Sequence, residues 1–300
     1  MGAAEVVPGV SGGTIAFVSG FYDRLVHDIQ RLTPLRLLDL PRVGLRQFWH
    51  DLDLNFLLLL FASMLISVLL LARGVSYLLA EQPILIWSFF FGLVIASIVV
   101  VLRRIWPVNA ELLAAMVVGT AVGFILTRIV PLEAEVSPLA LIAGGCIAVC
   151  AWILPGLSGS FVLLVLGLYQ SVILALKNLD ILTLAYVAFG CAVGLLSFSR
   201  ILAALLDRFH NQTVAVLAGF MVGSLVRIWP WKHTSSYQLR PDGSQIPVVQ
   251  ERVLPMTYET LTGADSQLLV AVLACVAGAP LIILMDRFAL LTETPDAEED

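Results

Sequence analysis

Charge is scarce in this chain. Only 13% of its 300 residues are Asp, Glu, Lys or Arg, while 59% are hydrophobic. An ordinary soluble domain carries roughly 25% charged and 45–50% apolar residues. The shortage of charge excludes a soluble enzyme, and the apolar excess excludes a disordered chain. A net charge of −5 without a basic stripe excludes a nucleic-acid binder. Cysteine is sparse as well. Cys146, Cys150, Cys191 and Cys275 all fall in apolar stretches, where neither a disulfide framework nor a zinc site with histidine partners assembles, so they read as small core residues. His27, His50, His210 and His233 lack metal-ligand spacing and receive no role, and no metal or cofactor is expected. Met1 to Val7 contains Glu5 but neither Lys nor Arg, so the basic start of a secretory signal peptide is missing. Insertion is expected to use uncleaved hydrophobic segments.

What the sequence has in abundance is long apolar runs. A spanning helix needs about 20 mostly apolar residues, and runs of that kind begin at Leu54, Pro83, Leu112, Ile181, Asn211 and Ser266. Two further apolar regions, Val6 to Tyr22 and Val136 to Leu176, are each broken by Pro-Gly followed by Ser-Gly. As one helix the second would run roughly 60 Å, about twice the hydrocarbon thickness. It must fold back near Pro155-Gly156. Placing Arg31, Arg36, Arg42 and Arg46 in the cytoplasm puts Arg103, Arg104, Arg208 and Arg287 there too, and leaves Arg128 and Lys177 in short outside loops. That asymmetry obeys the positive-inside rule, with Trp106, Trp229 and Trp231 at span ends as an aromatic belt. The acidic tail Asp296 to Asp300 reads as a solvated end.

The chain also repeats itself. Val7-Pro8-Gly9-Val10-Ser11-Gly12-Gly13, ending in Phe21-Tyr22, recurs as Leu154-Pro155-Gly156-Leu157-Ser158-Gly159-Ser160, ending in Leu168-Tyr169, at a constant offset of 147 residues. Arg73 matches Arg200 at an offset of 127, and Arg104-Ile105-Trp106-Pro107 recurs as Arg227-Ile228-Trp229-Pro230. Each half then reads as one interrupted segment plus three spans, an odd number of crossings, so the halves face opposite ways. The expected fold is an all-α polytopic membrane protein built as an inverted repeat, the architecture of secondary transporters. Residues 1–135 form the first half, with the motif at 7–14 and spans at 54–80, 83–104 and 111–129. Residues 136–300 form the second, with a hairpin at 136–177, spans at 181–206, 211–229 and 266–288, and an external loop at 231–265.

Glycine lets backbone bend and approach a ligand closely, and a helix starting just after it presents free N–H groups to an anion. Candidate binding residues are therefore Pro8, Gly9, Ser11, Gly12, Gly13 and Thr14, with Pro155, Gly156, Ser158, Gly159 and Ser160 in the second motif. Non-helical backbone at membrane depth belongs in a protein interior or a wet cavity. Close helix packing through small residues is the competing reading. Ionisable residues within spans default to function, which singles out Arg73 and Arg200; each could instead snorkel to the interface. Glu5, Asp23 and Arg24 flank the first motif as candidate coupling residues, with a proton or sodium ion as the coupling ion.

The run from Gly2 to Thr14, then Gly20-Phe21-Tyr22, together with Leu154 to Ser160, resembles the bacterial undecaprenyl-phosphate translocase family over nearly the whole chain. The resemblance implies a multi-pass protein of the bacterial cytoplasmic membrane, in contact with membrane lipids. It also implies the return of undecaprenyl phosphate from the outer to the inner leaflet for cell-wall synthesis, with no covalent chemistry. Two alternatives stand beside it. One is a secondary transporter of a small soluble anion. The other is a polyprenyl-diphosphate phosphatase, a family with a Pro-Gly-x-Ser-Arg-Ser-Gly loop; here Gly12 and Gly159 replace that arginine, and a loop without cations does not stabilise a transferring phosphoryl group.

Overall fold

The computed structural model describes residues 1–5, 11–33, 36, 44–128, 136–239 and 245–292. Three short helices open the chain: α1 (Gly2–Glu5), α2 (Gly12–Val18) and α3 (Tyr22–Arg31). After α4 (Leu45–Asp51) come the long helices α5 (Leu54–Glu81), α6 (Pro83–Arg104) and α7 (Ala110–Arg128). The second half repeats the order with α8 (Pro138–Ile153), α9 (Gly159–Val165) and α10 (Tyr169–Asn178), then α11 (Ile181–Arg208) and α12 (His210–Ser224). The strands β1 (Lys232–Leu239) and β2 (Gln245–Arg252), α13 (Pro255–Thr262) and α14 (Leu268–Thr292) complete it. The protein is a polytopic, mainly helical membrane protein.

Among the described residues, five helices are long and apolar enough to cross a bilayer: α5, α6, α7, α11 and α14. The sixth expected span, 211–229, is shorter than the sequence suggests. Its helix stops at Ser224, and the chain continues in tight turns, with Arg227 N–H donating to Ser224 O at 2.8 Å and Ile228 N–H to Leu225 O at 3.2 Å. Pro230 lies just ahead, and a residue before proline is pushed out of helical geometry. Residue 129, the expected end of the third span, lies outside the described residues, as do residues 296–300. The long apolar region after Val136 is broken in two places: α8 ends at Ile153 before α9 begins at Gly159, and α9 then meets α10 at 110°.

The 231–265 stretch is not a plain loop. It forms an antiparallel hairpin that pairs Lys232 with Arg252 and His233 with Glu251, with an irregular register around Ser236, and then α13. Two tryptophans fix its base to the bundle: Trp229 Nε1–H donates to Val253 O, and Trp231 Nε1–H to Ser266 O, both at 2.9 Å. Buried indole N–H groups find such acceptors because an unpaired one is costly.

The long helices pack across the two halves. α7 lies on α12 and α6 on α14, while α8 lies on α11 within residues 136–300. Small residues allow the crossings: a Cβ on Gly119 would stand 2.2 Å from Val216 O, and one on Gly223 2.5 Å from Thr120 O. Such contacts are the usual way for helices to associate in lipid, where burial of leucine gains nothing. The outer faces stay apolar, with Leu59, Leu69 and Leu70 of α5 exposed. At one end of the bundle the charges pair: Arg104 with Asp286 at 2.6 Å, His27 with Asp207 at 3.0 Å, His210 with Asp23 at 3.7 Å, and Arg24 with Asp53. This is the end that the positive-inside rule assigns to the cytoplasm.

Candidate functional site

Ser11 has extended backbone geometry and caps α2, its hydroxyl accepting from Gly13 N–H at 3.1 Å. The side-chain oxygen of an N-cap serine satisfies one of the free amides at a helix start. A second amide, Gly12 N–H, donates to Glu5 Oε1 at 2.8 Å, and the same oxygen accepts from Trp152 Nε1–H at 2.9 Å. A carboxylate of the chain itself thus stands where the sequence invites an anion. Glu5 and Trp152 are also related by the 147-residue offset of the repeat. Matched positions that touch each other are what a pseudo-two-fold axis produces.

The two motifs interlock around this pair. Thr14 Oγ1 accepts from Gly156 N–H at 3.0 Å, the Ser11 hydroxyl faces the carbonyl oxygens of Trp152 and Leu154, each at 3.4 Å, and Tyr22 OH donates to Ile153 O at 3.2 Å. Gly156 turns the chain with φ +85°, where a side chain would be strained and its Cβ would lie 2.9 Å from Met221 Cα. Ser11, Gly12, Gly13 and Thr14 are all buried. Val6 to Val10, which include Pro8 and Gly9, lie outside the described residues.

The second motif is more open. α9 has no side-chain cap, the Ser158 and Ser160 hydroxyls pair with each other at 2.9 Å, and Ser160 is exposed. Gly159 packs closely on α8, where a Cβ would stand 2.6 Å from the Ala148 carbonyl oxygen. Pro155 is buried in the turn before it.

The structure does not bring Arg73 and Arg200 to the motifs. Both are exposed on their helices and have no hydrogen-bond or ion-pair partner among the described residues. Asp23 and Arg24 do not pair with each other: Asp23 meets His210, while Arg24 bonds to Asp53 and lies 4.3 Å from the Phe56 ring. Sequence reasoning overlooked Arg104, which closes the C-terminal end of α2 by donating to Val18 O at 2.8 Å and Phe17 O at 3.5 Å. It lines a cavity of about 70 Å³ with Tyr22, Asp23 and His210. Its place in the repeated Arg-Ile-Trp-Pro was the available sign. His27, assigned no role, donates through Nδ1 to Asp23 O, 2.7 Å away, and meets the Asp207 carboxylate through Nε2 at 3.0 Å. Burial lowers its pKa, but the Asp23 carbonyl and the Asp207 carboxylate outweigh it, so His27 titrates above its ordinary value. Among the described residues, no group of His, Cys, Asp or Glu is placed to hold a metal ion.

The undecaprenyl phosphate translocase-like family matches residues 1–246. The polyprenyl-phosphate transporter of Vibrio cholerae is 41% identical over 289 residues, 96% of this chain and 94% of that protein. The polyprenyl-phosphate transporter of Staphylococcus aureus is 32% identical over 250 residues, 77% of this chain and 83% of that one. No solved structure matches the chain significantly. A match of this extent places the chain in the undecaprenyl phosphate translocase-like family.

Proposed function

We propose that this protein returns undecaprenyl phosphate from the outer to the inner leaflet of the bacterial cytoplasmic membrane, through a site where the two Ser-Gly motifs meet. The observation that carries the reading is the direct contact between matched parts of the two halves: Glu5 on Trp152, and Thr14 on Gly156. Transporters built from inverted repeats bind their cargo at the repeat interface, in discontinuous helices near mid-membrane. Gly2 supports that depth, because it packs on the backbone of Met64, near the middle of α5. Residues 1–135 and 136–300 are the two repeats in this reading.

The headgroup binds at the open motif, Ser158 and Ser160, while the tail stays in lipid. A phosphate arriving beside Glu5 adds negative charge to a site that already holds one, and like charges that close cannot both remain ionised. Glu5 therefore takes up a proton as the phosphate enters and is the coupling residue. Arg73 and Arg200, exposed and without a partner among the described residues, contact lipid headgroups at the interface, where lysine serves as well as arginine.

Proteoliposomes carrying labelled undecaprenyl phosphate test the reading, with release of inorganic phosphate followed in parallel. Movement between leaflets without phosphate release is expected. Release of phosphate would make the protein an enzyme, and movement of free phosphate alone would make it a small-anion transporter.

A further inference from the structure

Among the described residues, four cations besides Lys177 gather at the end of the bundle opposite the ion-paired one. Arg128 ends α7, Arg227 lies in the turn after α12, Lys232 begins β1, and Arg252 ends β2. None has an ion-pair partner among the described residues. Lys232 and Arg252 are cross-strand partners in the hairpin. Like charges placed directly opposite in a ladder repel and destabilise it. The neighbouring carboxylates do not relieve them: Glu251 opposes His233, Glu259 accepts from Ser266, and Asp265 accepts from Gln267 N–H at 2.9 Å. Burial, then Arg227 and Arg252, push the Lys232 ammonium down to about 7. A bound anion would reverse that cost.

Aromatic rings hold two of the cations in place. Lys232 Nζ stands 3.4 Å from the centre of the Trp87 ring, and the Arg227 guanidinium 3.9 Å from that of Phe161. Phe161 follows Ser160 directly in the chain. Arg227 therefore bridges this face and the open motif. Beside Arg252 lies a cavity of about 370 Å³ whose other walls are apolar, Phe91, Leu225, Val226 and Trp229 among them. Unpaired cations above an apolar pocket match an amphiphile with an anionic head, whereas a soluble anion has no use for the pocket.

We propose that this cluster is the outer docking site for a prenyl phosphate, with the phosphate on Arg227, Lys232 and Arg252 and the first isoprene units in the adjoining cavity. The inference rests on the transport reading and adds the step before it. From this site the headgroup passes Arg227 and Phe161 to reach Ser158 and Ser160.

The test uses the full chain in lipid nanodiscs with farnesyl phosphate, farnesol and inorganic phosphate as probes, and proteoliposome transport as a second measurement. The double variant Lys232→Gln/Arg252→Gln is expected to weaken farnesyl phosphate binding by at least about tenfold, as loss of charge-assisted hydrogen bonds implies. Its farnesol binding should match the native protein, its thermal midpoint should be no lower because the cross-strand repulsion is gone, and Arg252→Lys should recover part of the affinity. Rising salt should weaken native binding and leave the double variant nearly unchanged. Native affinity and transport in the double variant would overturn the docking site while leaving transport itself intact. Inorganic phosphate binding as tightly as farnesyl phosphate, with the same loss in the variant, would overturn a lipid occupant. A native protein that neither binds nor moves prenyl phosphate would overturn the transport reading and this inference together.

Discussion

The two Ser-Gly motifs have nearly the same sequence and opposite states. In the first, every residue from Ser11 to Val18 is buried, Ser11 caps its helix, and Glu5 takes the Gly12 amide. In the second, the helix start at Gly159 has no side-chain cap, and Ser160 is exposed. One copy satisfies amides of its helix start with its own side chains; the other pairs its two serine hydroxyls with each other and leaves its helix start without a side-chain cap. The loops are alike in sequence, and an acidic residue, Glu5, facing Trp152 at the matched position accompanies the difference between them. In the function proposed above, the first motif is the support and the second the binding surface.

Swapping residues at matched positions tests that division most strongly. Gly13 and Ser160 occupy the same place in the repeat, but a Cβ on Gly13 would stand 2.6 Å from Ile153 O. Gly13→Ser should lower stability by about 2–3 kcal/mol, the cost of overpacking a closed core, whereas Ser160→Gly should cost under about 1 kcal/mol. Thermal midpoints in detergent compare the two, and equal losses would erase the distinction. Next in size is Glu5→Ala, which strips the acceptor from Gly12 N–H and from the Trp152 indole and should cost about 2 kcal/mol. Glu5→Gln keeps an acceptor and should unfold near the native temperature, yet lose the dependence of transport on a proton gradient in proteoliposomes. Ser158→Ala with Ser160→Ala should barely move the midpoint, within about 1 kcal/mol, and should slow lipid-phosphate movement by roughly tenfold.

The smallest expected effect concerns the exit helices. α3, leaving the first motif, is tied by His27 to Asp207, while Lys177 at the end of α10 has no ion-pair partner among the described residues. His27 titrates above its ordinary 6.5 in the folded protein, so its stabilising tie is complete below 6.5 and fades as pH rises through the folded value. His27→Gln should flatten this part of the pH–midpoint curve by a few tenths of a kcal/mol, as suits a partly exposed pair.

The spans were legible because an apolar run long enough to cross a bilayer has few other fates, and α5, α6 and α11 begin where the runs do. The interlocked motifs were legible through their repetition. Rotation was not: α5 is apolar on every side, so nothing in its pattern says which way Arg73 faces, and the fold turns it outward. The hairpin at 232–252 was missed because its strands are polar, although Pro241-Asp242-Gly243 between them is a turn sequence. The contact of Glu5 with Trp152 could have been anticipated, since residues equivalent under a two-fold meet only on its axis. Arg227 and Arg252 come together through a tertiary arrangement that spacing along the chain does not encode.

The crossing of α6 with α14 and of α7 with α12 has a mechanical consequence. Each half lends two helices to a shared frame whose glycine contacts leave no room for sliding, as Gly119 against Val216 and Gly92 against Cys275 show. The halves are braided, and neither can swing against the other as a rigid body without tearing both seams. In the transport proposed above, movement of the headgroup between leaflets would then fall to the short helices inside the frame, a shuttle within a fixed casing.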